Sequence, residues 1–420
     1  MDKFIITGGK KLSGSLRVEG SKNAVLPIMT AALLVEKGTT VISGVPDLAD
    51  VHTALDVLTH LGAECNYDPG GQRLSINAEN INRHDVPYDL MRRMRASFLV
   101  LGALIGRLGK ARISLPGGCS LGPRPVDLHL KGLSKLGASF KEEGGYIIAE
   151  APRLVGGTVY FDRPTHTGTE NLLSAATVAA GKTVLINAAA DPEVVDLARF
   201  LEAAGAKIEG AGTPLIKITG VRKLKAVEYT VLPDRLEAGT LMMAAAITGG
   251  YLELTHVRPD HLDAVAMKLA QMGATIETTK SKLTVRGPSR LEAADVTTFP
   301  YPGFPTDLQP AMTALLSVSS GNSRVAETVF PQRFAHVMEL GRMGAEIRLA
   351  GGEAAITGVK RLRAASVMAS DIRAGAGLVL AALAAPGTSE ILRVYHIDRG
   401  YHRLEQKLQK LGADIERVNV

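Results

Sequence analysis

Tryptophan is absent from the 420 residues, aromatic residues of all kinds amount to 4%, and there are two cysteines. With so few rings to stack on bases, and basic residues scattered without a block of five or more, nucleic-acid binding has little support; a net charge of +6 suits small anions better. Cys65 and Cys119 could make one bridge at most, and neither has a second Cys or a His at zinc-ligand spacing. A disulfide scaffold and a structural zinc are therefore both disfavoured. The longest apolar stretches, 98–105 and 374–385, are interrupted by Gly or Arg short of the ~18 residues a membrane helix needs. The opening Met1-Asp2-Lys3-Phe4 has an acid where a signal peptide is basic, so no membrane insertion is expected and the expected location is the cytoplasm. With 44 Gly and 20 Pro, the composition is neither disordered nor collagen-like. No Walker loop, Rossmann glycine fingerprint, zinc-binding helix motif or nucleophile elbow occurs. Nucleotide hydrolysis, hydride transfer and serine hydrolysis lose their usual signatures, and neither a metal nor a cofactor is expected.

What is present is a repeat. A Leu, two further residues, Leu, Met or Ala, then Gly-Ala recurs six times, with its glycine at 62, 137, 205, 273, 344 and 412. Six units of about seventy residues account for the chain. In each, an apolar helix such as 264–272 closes on a glycine able to turn left-handed, and an alternating strand follows. A second signal lies between these, an Ala/Leu-rich helix ending before Gly38, Gly181 or Gly387 and then a β-branched strand. Each unit thus reads as two helices with three or four short strands, and three such modules twice over predict two similar α/β lobes with a ligand cleft between them.

Polar residues that break this scheme are the candidates for chemistry. Cys119 sits in a Gly/Pro-rich stretch five residues before Arg124, a setting that lowers a thiol's pKa and suits a nucleophile or proton donor. Cys65, on a repeat strand, reads as inert. Gly20-Ser21-Lys22-Asn23-Ala24 precedes an apolar helix over 25–34, with Ser21 or Asn23 as its cap and Lys22 at an anion-favouring helix start. Arg92, Arg93 and Arg95 cluster before another apolar helix, as anion contacts or as a solvated turn. Asp307 ends a Pro-rich loop beside an apolar helix, as a cap or a general base. Lys22, Arg124, Arg333, Arg373 and Arg399 are cations at loop-to-helix junctions, as a substrate carrying phosphate and carboxylate requires.

Eight segments in order carry a resemblance that runs essentially from end to end. They are Gly20 to Ala24, Met94 to Ser97, Leu115 to Cys119, Arg124 to His129, Pro233 to Thr240, Phe304 to Asp307, Asp371 to Gly375 and His396 to Tyr401. On these the chain resembles the enolpyruvyl transferases, in the branch whose acceptor is UDP-N-acetylglucosamine. The resemblance implies an inside-out α/β barrel pair of six repeats. One lobe would comprise 1–21 plus 232–420, and the other 22–231 with the Cys119 loop as a closing lid. It implies transfer of enolpyruvyl from phosphoenolpyruvate to the sugar 3-hydroxyl with release of phosphate, the first committed step of peptidoglycan precursor synthesis, by a monomer whose partners are these two small molecules.

Carried over residue by residue, Cys119 protonates the vinyl carbon, Asp307 takes the proton of the sugar hydroxyl, and Asp371 assists proton movement in the tetrahedral intermediate. Lys22, Arg124 and Arg399 hold the phosphate, Arg373 and Arg399 lie near the carboxylate with Arg333 close by, and Asn23 and Arg95 contact substrate. Pro125, Val126, Asp127 and Leu128, Arg163, Pro164, Thr165 and His166, and Val329 join Arg124 and Asp307 in contacting the nucleotide sugar. The family commonly has Ser-Val-Gly where this chain has Thr165-His166-Thr167, and Glu-Asn where it has Pro331-Gln332. Among rivals, the transferase acting on shikimate 3-phosphate lacks the Cys-bearing loop and the Arg-Pro-Val-Asp stretch. A non-catalytic nucleotide-sugar sensor would have lost acid or base residues that are all present here.

Overall fold

The structure, a computed structural model, describes residues 2–114 and 126–419, and the backbone alone of Arg95. Cys119, Arg124 and Pro125 lie outside the described residues. Contacts divide the described chain into two units, 2–19 with 233–419 and 20–114 with 126–232.

Each unit contains three four-stranded sheets of one plan. In the sheet of strand Lys182–Ile186, Thr158–Tyr160 lies parallel on one side and Leu215–Thr219 antiparallel on the other, with Lys207–Glu209 antiparallel beyond it. The alternation in Leu215–Thr219 turns Ile216 and Ile218 into the core and the residues between them outward. The other five sheets repeat one parallel and two antiparallel pairings.

The chain ends complete these sheets out of order. Strand Asp2–Gly8 pairs antiparallel with Gly387–Leu392 and with Asp414–Asn419, and Ser13–Arg17 runs parallel to Tyr251–Thr255. In the other unit the last strand, Glu228–Thr230, lies parallel to the first, Thr39–Ser43.

Helices Lys22–Ala31, Val100–Leu108 and His166–Thr177 in one unit, and Arg235–Thr248, Gln309–Leu316 and Ile372–Ala384 in the other, are buried over most or all of their length. A helix enclosed on every side presents no face to solvent, and its polar side chains must find partners inside. The helices that end at the repeat glycines, such as Ala49–His60 and Ala335–Arg342, bury one face only. Enclosed helices with sheets outside them are the inside-out α/β arrangement of six repeated units.

The repeat motif is a helix stop. All six glycines have left-handed backbone, with φ between 87° and 107°. In each unit the alanine N–H after the glycine reaches back to the carbonyl of the motif's first leucine, as Ala206 does to Leu201 at 2.9 Å and Ala63 to Leu58 at 3.0 Å. The glycine N–H bonds the residue after that leucine, as Gly205 does to Glu202 at 2.9 Å. This double bond pattern satisfies carbonyls the helix end would leave orphaned. Smaller differences from the sequence reading concern helix starts. The helix expected over 25–34 begins at Lys22 and tightens to a 3-10 turn at Ala32–Leu34, and Ser21 occupies the cap position without a side-chain cap bond. The one expected over 264–272 spans Asp263–Gln271.

Two glycine substitutions should move stability in opposite directions. Gly205→Ala forces an L side chain into a φ of 107°, a strain of roughly 1–2 kcal/mol, although the nearest atom is 3.9 Å away. Gly341→Ala, inside helix Ala335–Arg342 with nothing within 4 Å of the added carbon, should stabilise by about 0.5–1 kcal/mol. Thermal unfolding of the two variants checks the pair.

Candidate functional site

In the unit of 20–232 the polar candidates cluster at helix starts. Gly20 passes so close to the next loop that an added Cβ would sit 1.8 Å from the Gly44 carbonyl oxygen, and Ser21 N–H bonds the Leu232 carbonyl at 2.8 Å. That approach sets where the helix Lys22–Ala31 begins. Lys22, its first residue, is buried and points its ammonium at Asp50 Oδ2, 3.2 Å away on helix Ala49–His60. Asn23 is half-buried beside it. Arg92 and Arg93 make exposed pairs with Asp89 and Asp56, the solvated reading of that cluster.

Val126, Asp127 and Leu128 form the start of helix Asp127–Lys135, with Leu128 buried and Asp127 exposed. Arg163 and Pro164 are exposed, and Thr165 caps helix His166–Thr177 by accepting the Gly168 N–H. The ring nitrogens of His166 face carboxylates, Glu170 at 3.0 Å and Asp191 at 3.8 Å. His166, Asp191 and Glu193 bring one ligand-type atom each within 4.8 Å of one another, the group that could hold a metal among the described residues. Asp191 is the N-cap of helix Pro192–Ala203 and Glu193 lies in its first turn, where the helix dipole already favours negative charge. An imidazolium then supplies the remaining countercharge. Burial alone would depress the His166 pKa, but Glu170 and Asp191 outweigh it and raise the value to about 10.

In the other unit the focus is Asp307, in the 3-10 turn Thr306–Leu308. It is not a helix cap. Its Oδ1 accepts Arg333 Nη1 at 2.6 Å and its Oδ2 accepts Arg373 Nε at 3.0 Å. Both arginines are nearly fully buried, while the Asp307 side chain keeps 25% of its surface exposed. Burial opposes the Arg373 charge, yet Tyr401, Asp307 and Asp234 together hold its pKa above the ordinary guanidinium value. Arg333 Nε and Arg373 Nη1 are buried with no acceptor among the described residues. An unsatisfied buried donor costs free energy that an anion would recover.

Asp371 caps helix Ile372–Ala384, accepting the Arg373 and Ala374 N–H groups at 2.9 and 3.0 Å. The same carboxylate thereby fixes the backbone of Arg373. Beside it His336 is buried, and loss of water lowers its pKa to about 4, more than the Asp371 charge restores, so the ring is neutral at physiological pH. Arg399 ends the 3-10 turn Val394–Arg399 and is half-buried.

Glu327 is a site residue that the sequence reading missed. Buried at 3% exposure, it accepts the Thr298 and Thr306 hydroxyls and the Val329 and Phe330 N–H groups. It therefore fixes Val329, and through Thr306, which also accepts Arg333 Nη1 at 3.1 Å, the turn that bears Asp307. A glutamate at a strand end reads as solvated in sequence, so no local signal marks it. Cys65 is half-buried on strand Glu64–Asp68, and burial pushes its thiol up to about 11, out of reach of nucleophilic use at neutral pH.

This architecture and this array of cations at helix starts are those of a group transferase for anionic substrates. The family model described as EPSP synthase (3-phosphoshikimate 1-carboxyvinyltransferase) matches residues 6–408. The UDP-N-acetylglucosamine 1-carboxyvinyltransferase of Desulfosudis oleivorans is 51% identical over 420 residues, covering all of both chains. That of Myxococcus xanthus is 51% identical over 99% of both. Among solved structures, the enolpyruvyl transferase NikO from Streptomyces tendae superposes with a TM-score of 0.90 at 26% identity, over 100% of this chain and 99% of that one. EPSP synthase from Acinetobacter baumannii shares the fold with a TM-score of 0.75 at 19% identity, over the full length of both. The chain belongs to the EPSP synthase family of carboxyvinyltransferases.

The His166 latch makes a pH prediction. A folded pKa raised to about 10 stabilises fully below the free histidine value of about 6.5 and is lost as pH rises through 10. The melting-temperature gap between the parent and His166→Gln should be widest near pH 6 and close towards pH 10.

Proposed function

We propose that the protein transfers the carboxyvinyl group of phosphoenolpyruvate to the 3-hydroxyl of UDP-N-acetylglucosamine, releasing phosphate in the first committed step of peptidoglycan precursor synthesis. The observation that carries the reading is the Asp307 carboxylate gripped by Arg333 and Arg373, with two buried N–H donors left over. It occurs in a chain about half identical, end to end, to transferases named for that sugar nucleotide.

The reaction is an addition followed by an elimination. The sugar oxygen bonds to C2 of phosphoenolpyruvate as C3 gains a proton; C3 then loses a proton as the C2–O bond to phosphate breaks. Cys119 donates the proton to C3, and Asp307 receives the proton of the sugar hydroxyl. Its two oxygens accept guanidinium N–H groups of Arg333 and Arg373, which orients the carboxylate. Asp371 assists the proton's later movement. Lys22, Arg124 and Arg399 bind the phosphate, and Arg373 with Arg399 binds the carboxylate, its idle Nη1 being suited to that acceptor. Arg333 lies near that carboxylate, and Asn23 and Arg95 contact the substrates. The segments 124–128 and 163–166, with Asp307 and Val329, contact the nucleotide sugar.

No described helix is long and apolar enough to cross a membrane. Action as a monomer in the cytoplasm belongs to the same proposal.

Phosphate release tests the reading. It should require phosphoenolpyruvate and UDP-N-acetylglucosamine together, and shikimate 3-phosphate should not replace the sugar nucleotide. Cys119→Ser and Asp307→Asn should each lose roughly 10²–10⁴-fold in kcat, the usual contribution of a positioned acid or base. Binding of the nucleotide sugar without phosphate release would replace the transferase with a sensor.

A further inference from the structure

Tyr401 joins three elements of the unit of 233–419. Its side chain is buried and reaches helix Arg235–Thr248, where its hydroxyl oxygen lies 2.8 Å from Thr240 Oγ1. Thr240 Oγ1 also lies 2.9 Å from the Leu236 carbonyl, which can only accept, so the Thr240 hydrogen goes there. The Tyr401 hydroxyl is then the donor in its bond to Thr240, the arrangement in which both hydrogens are used. What the tyrosine oxygen keeps are lone pairs, and a cation stands beside them. The buried Arg373 guanidinium, with its Cζ 5.2 Å from the centre of the Tyr401 ring, donates a hydrogen bond to that oxygen.

The backbone brings these groups together. Tyr401 N–H bonds the Ile397 carbonyl at 3.0 Å, so the tyrosine closes the 3-10 turn Val394–Arg399 that bears Arg399. Gly400 lets that turn lie against the start of helix Ile372–Ala384, since an added Cβ would sit 2.5 Å from Ile372 Cγ2. On the guanidinium itself, Nε is fixed on Asp307 Oδ2 at 3.0 Å and Nη1 is buried without an acceptor. A planar fork held by a carboxylate and a phenol oxygen has little freedom left to turn, so its idle Nη1 keeps one direction.

We infer that Tyr401 is a positioning residue for phosphoenolpyruvate: through its hydroxyl, itself aimed by Thr240, it holds the Arg373 guanidinium with Nη1 presented to the substrate carboxylate. The inference rests on the function proposed above and adds to it two residues that act through Arg373. Thr240 supplies the sense of the contact. A phenol hydrogen free to turn towards Arg373 would set a positive end against a positive charge; committed to Thr240, the hydroxyl offers the guanidinium an acceptor only.

Steady-state kinetics of the full chain, read as separate kcat and KM values for each substrate, test this. Tyr401→Phe keeps the ring and removes the oxygen. It should raise KM for phosphoenolpyruvate roughly tenfold, the lower end of the range for a hydrogen bond to a charged group, because the bond acts through Arg373. It should lower kcat by less and leave KM for UDP-N-acetylglucosamine unchanged. Thr240→Val removes the acceptor and should raise the same KM, which Thr240→Ser restores. In the Tyr401→Phe background Thr240→Val should add nothing, whereas two side chains that merely fill the core would add their effects. Should Tyr401→Phe not fold, Thr240→Val and Thr240→Ser carry the test by the same KM. An active parent whose KM for phosphoenolpyruvate is matched by the variants, or variants that raise both KM values alike or lose kcat alone, overturns the inference alone. Parent protein that releases no phosphate from phosphoenolpyruvate and UDP-N-acetylglucosamine overturns the functional reading and this inference with it.

Discussion

A helix buried on every side has no face for water, and each unit of this protein contains three of them. The segments 235–248, 309–316 and 372–384 bury nearly every side chain, and so do their counterparts in 22–31, 100–108 and 166–177. Enclosing them requires sheets and amphipathic helices on all sides, and six copies of one small module supply both. The out-of-order strands follow from the same need. Asp2–Gly8 and Ser13–Arg17 fill sheet positions in the unit of 233–419, and Glu228–Thr230 fills the one beside Thr39–Ser43.

Burying the helices leaves their first turns as the places where polar chemistry can surface. Backbone N–H groups there lack intrahelical partners and carry partial positive charge, so they attract anions or capping oxygens. Lys22, Thr165, Asp234 and Asp371 all stand at such starts, and Asp307 lies just before another. Asp234, Asp307 and Tyr401 all act on the Arg373 charge, so the starts of two other buried helices and a tyrosine converge electrostatically on one guanidinium. Such buried charges are tolerable because each has an opposite charge or a hydrogen-bond partner near it; removing one member leaves the other stranded.

The same logic separates the supporting residues from those that meet solvent. Glu327 and the Asn171–His129 pair are buried and hydrogen-bonded, and Glu327, through Thr306, holds the turn that bears Asp307. Among the buried polar atoms left without a partner, Arg333 Nε and Arg373 Nη1 belong to the two side chains that hold Asp307.

The sequence by itself determined the sixfold module and its helix stops. The Gly-Ala motif acts through bonds spanning six residues, and local backbone preference writes such bonds directly into the chain. It also exposed Lys22, Asp307, Asp371 and Arg373 as candidates, because charges that interrupt apolar helix starts stand out. What only the tertiary structure decided is which of those charges meet. Asp307 reads equally as a cap or a base until Arg333 and Arg373, from distant repeats, close on it. The partners of the His166 ring, Glu170 and Asp191, likewise appear only in the fold. Glu327 and Asn171 leave no trace in sequence, since a polar residue declares its role only through partners brought to it by long-range packing. Hydrogen bonds and ion pairs act over about 3 Å in space with no regard to separation along the chain, and periodicity cannot report them.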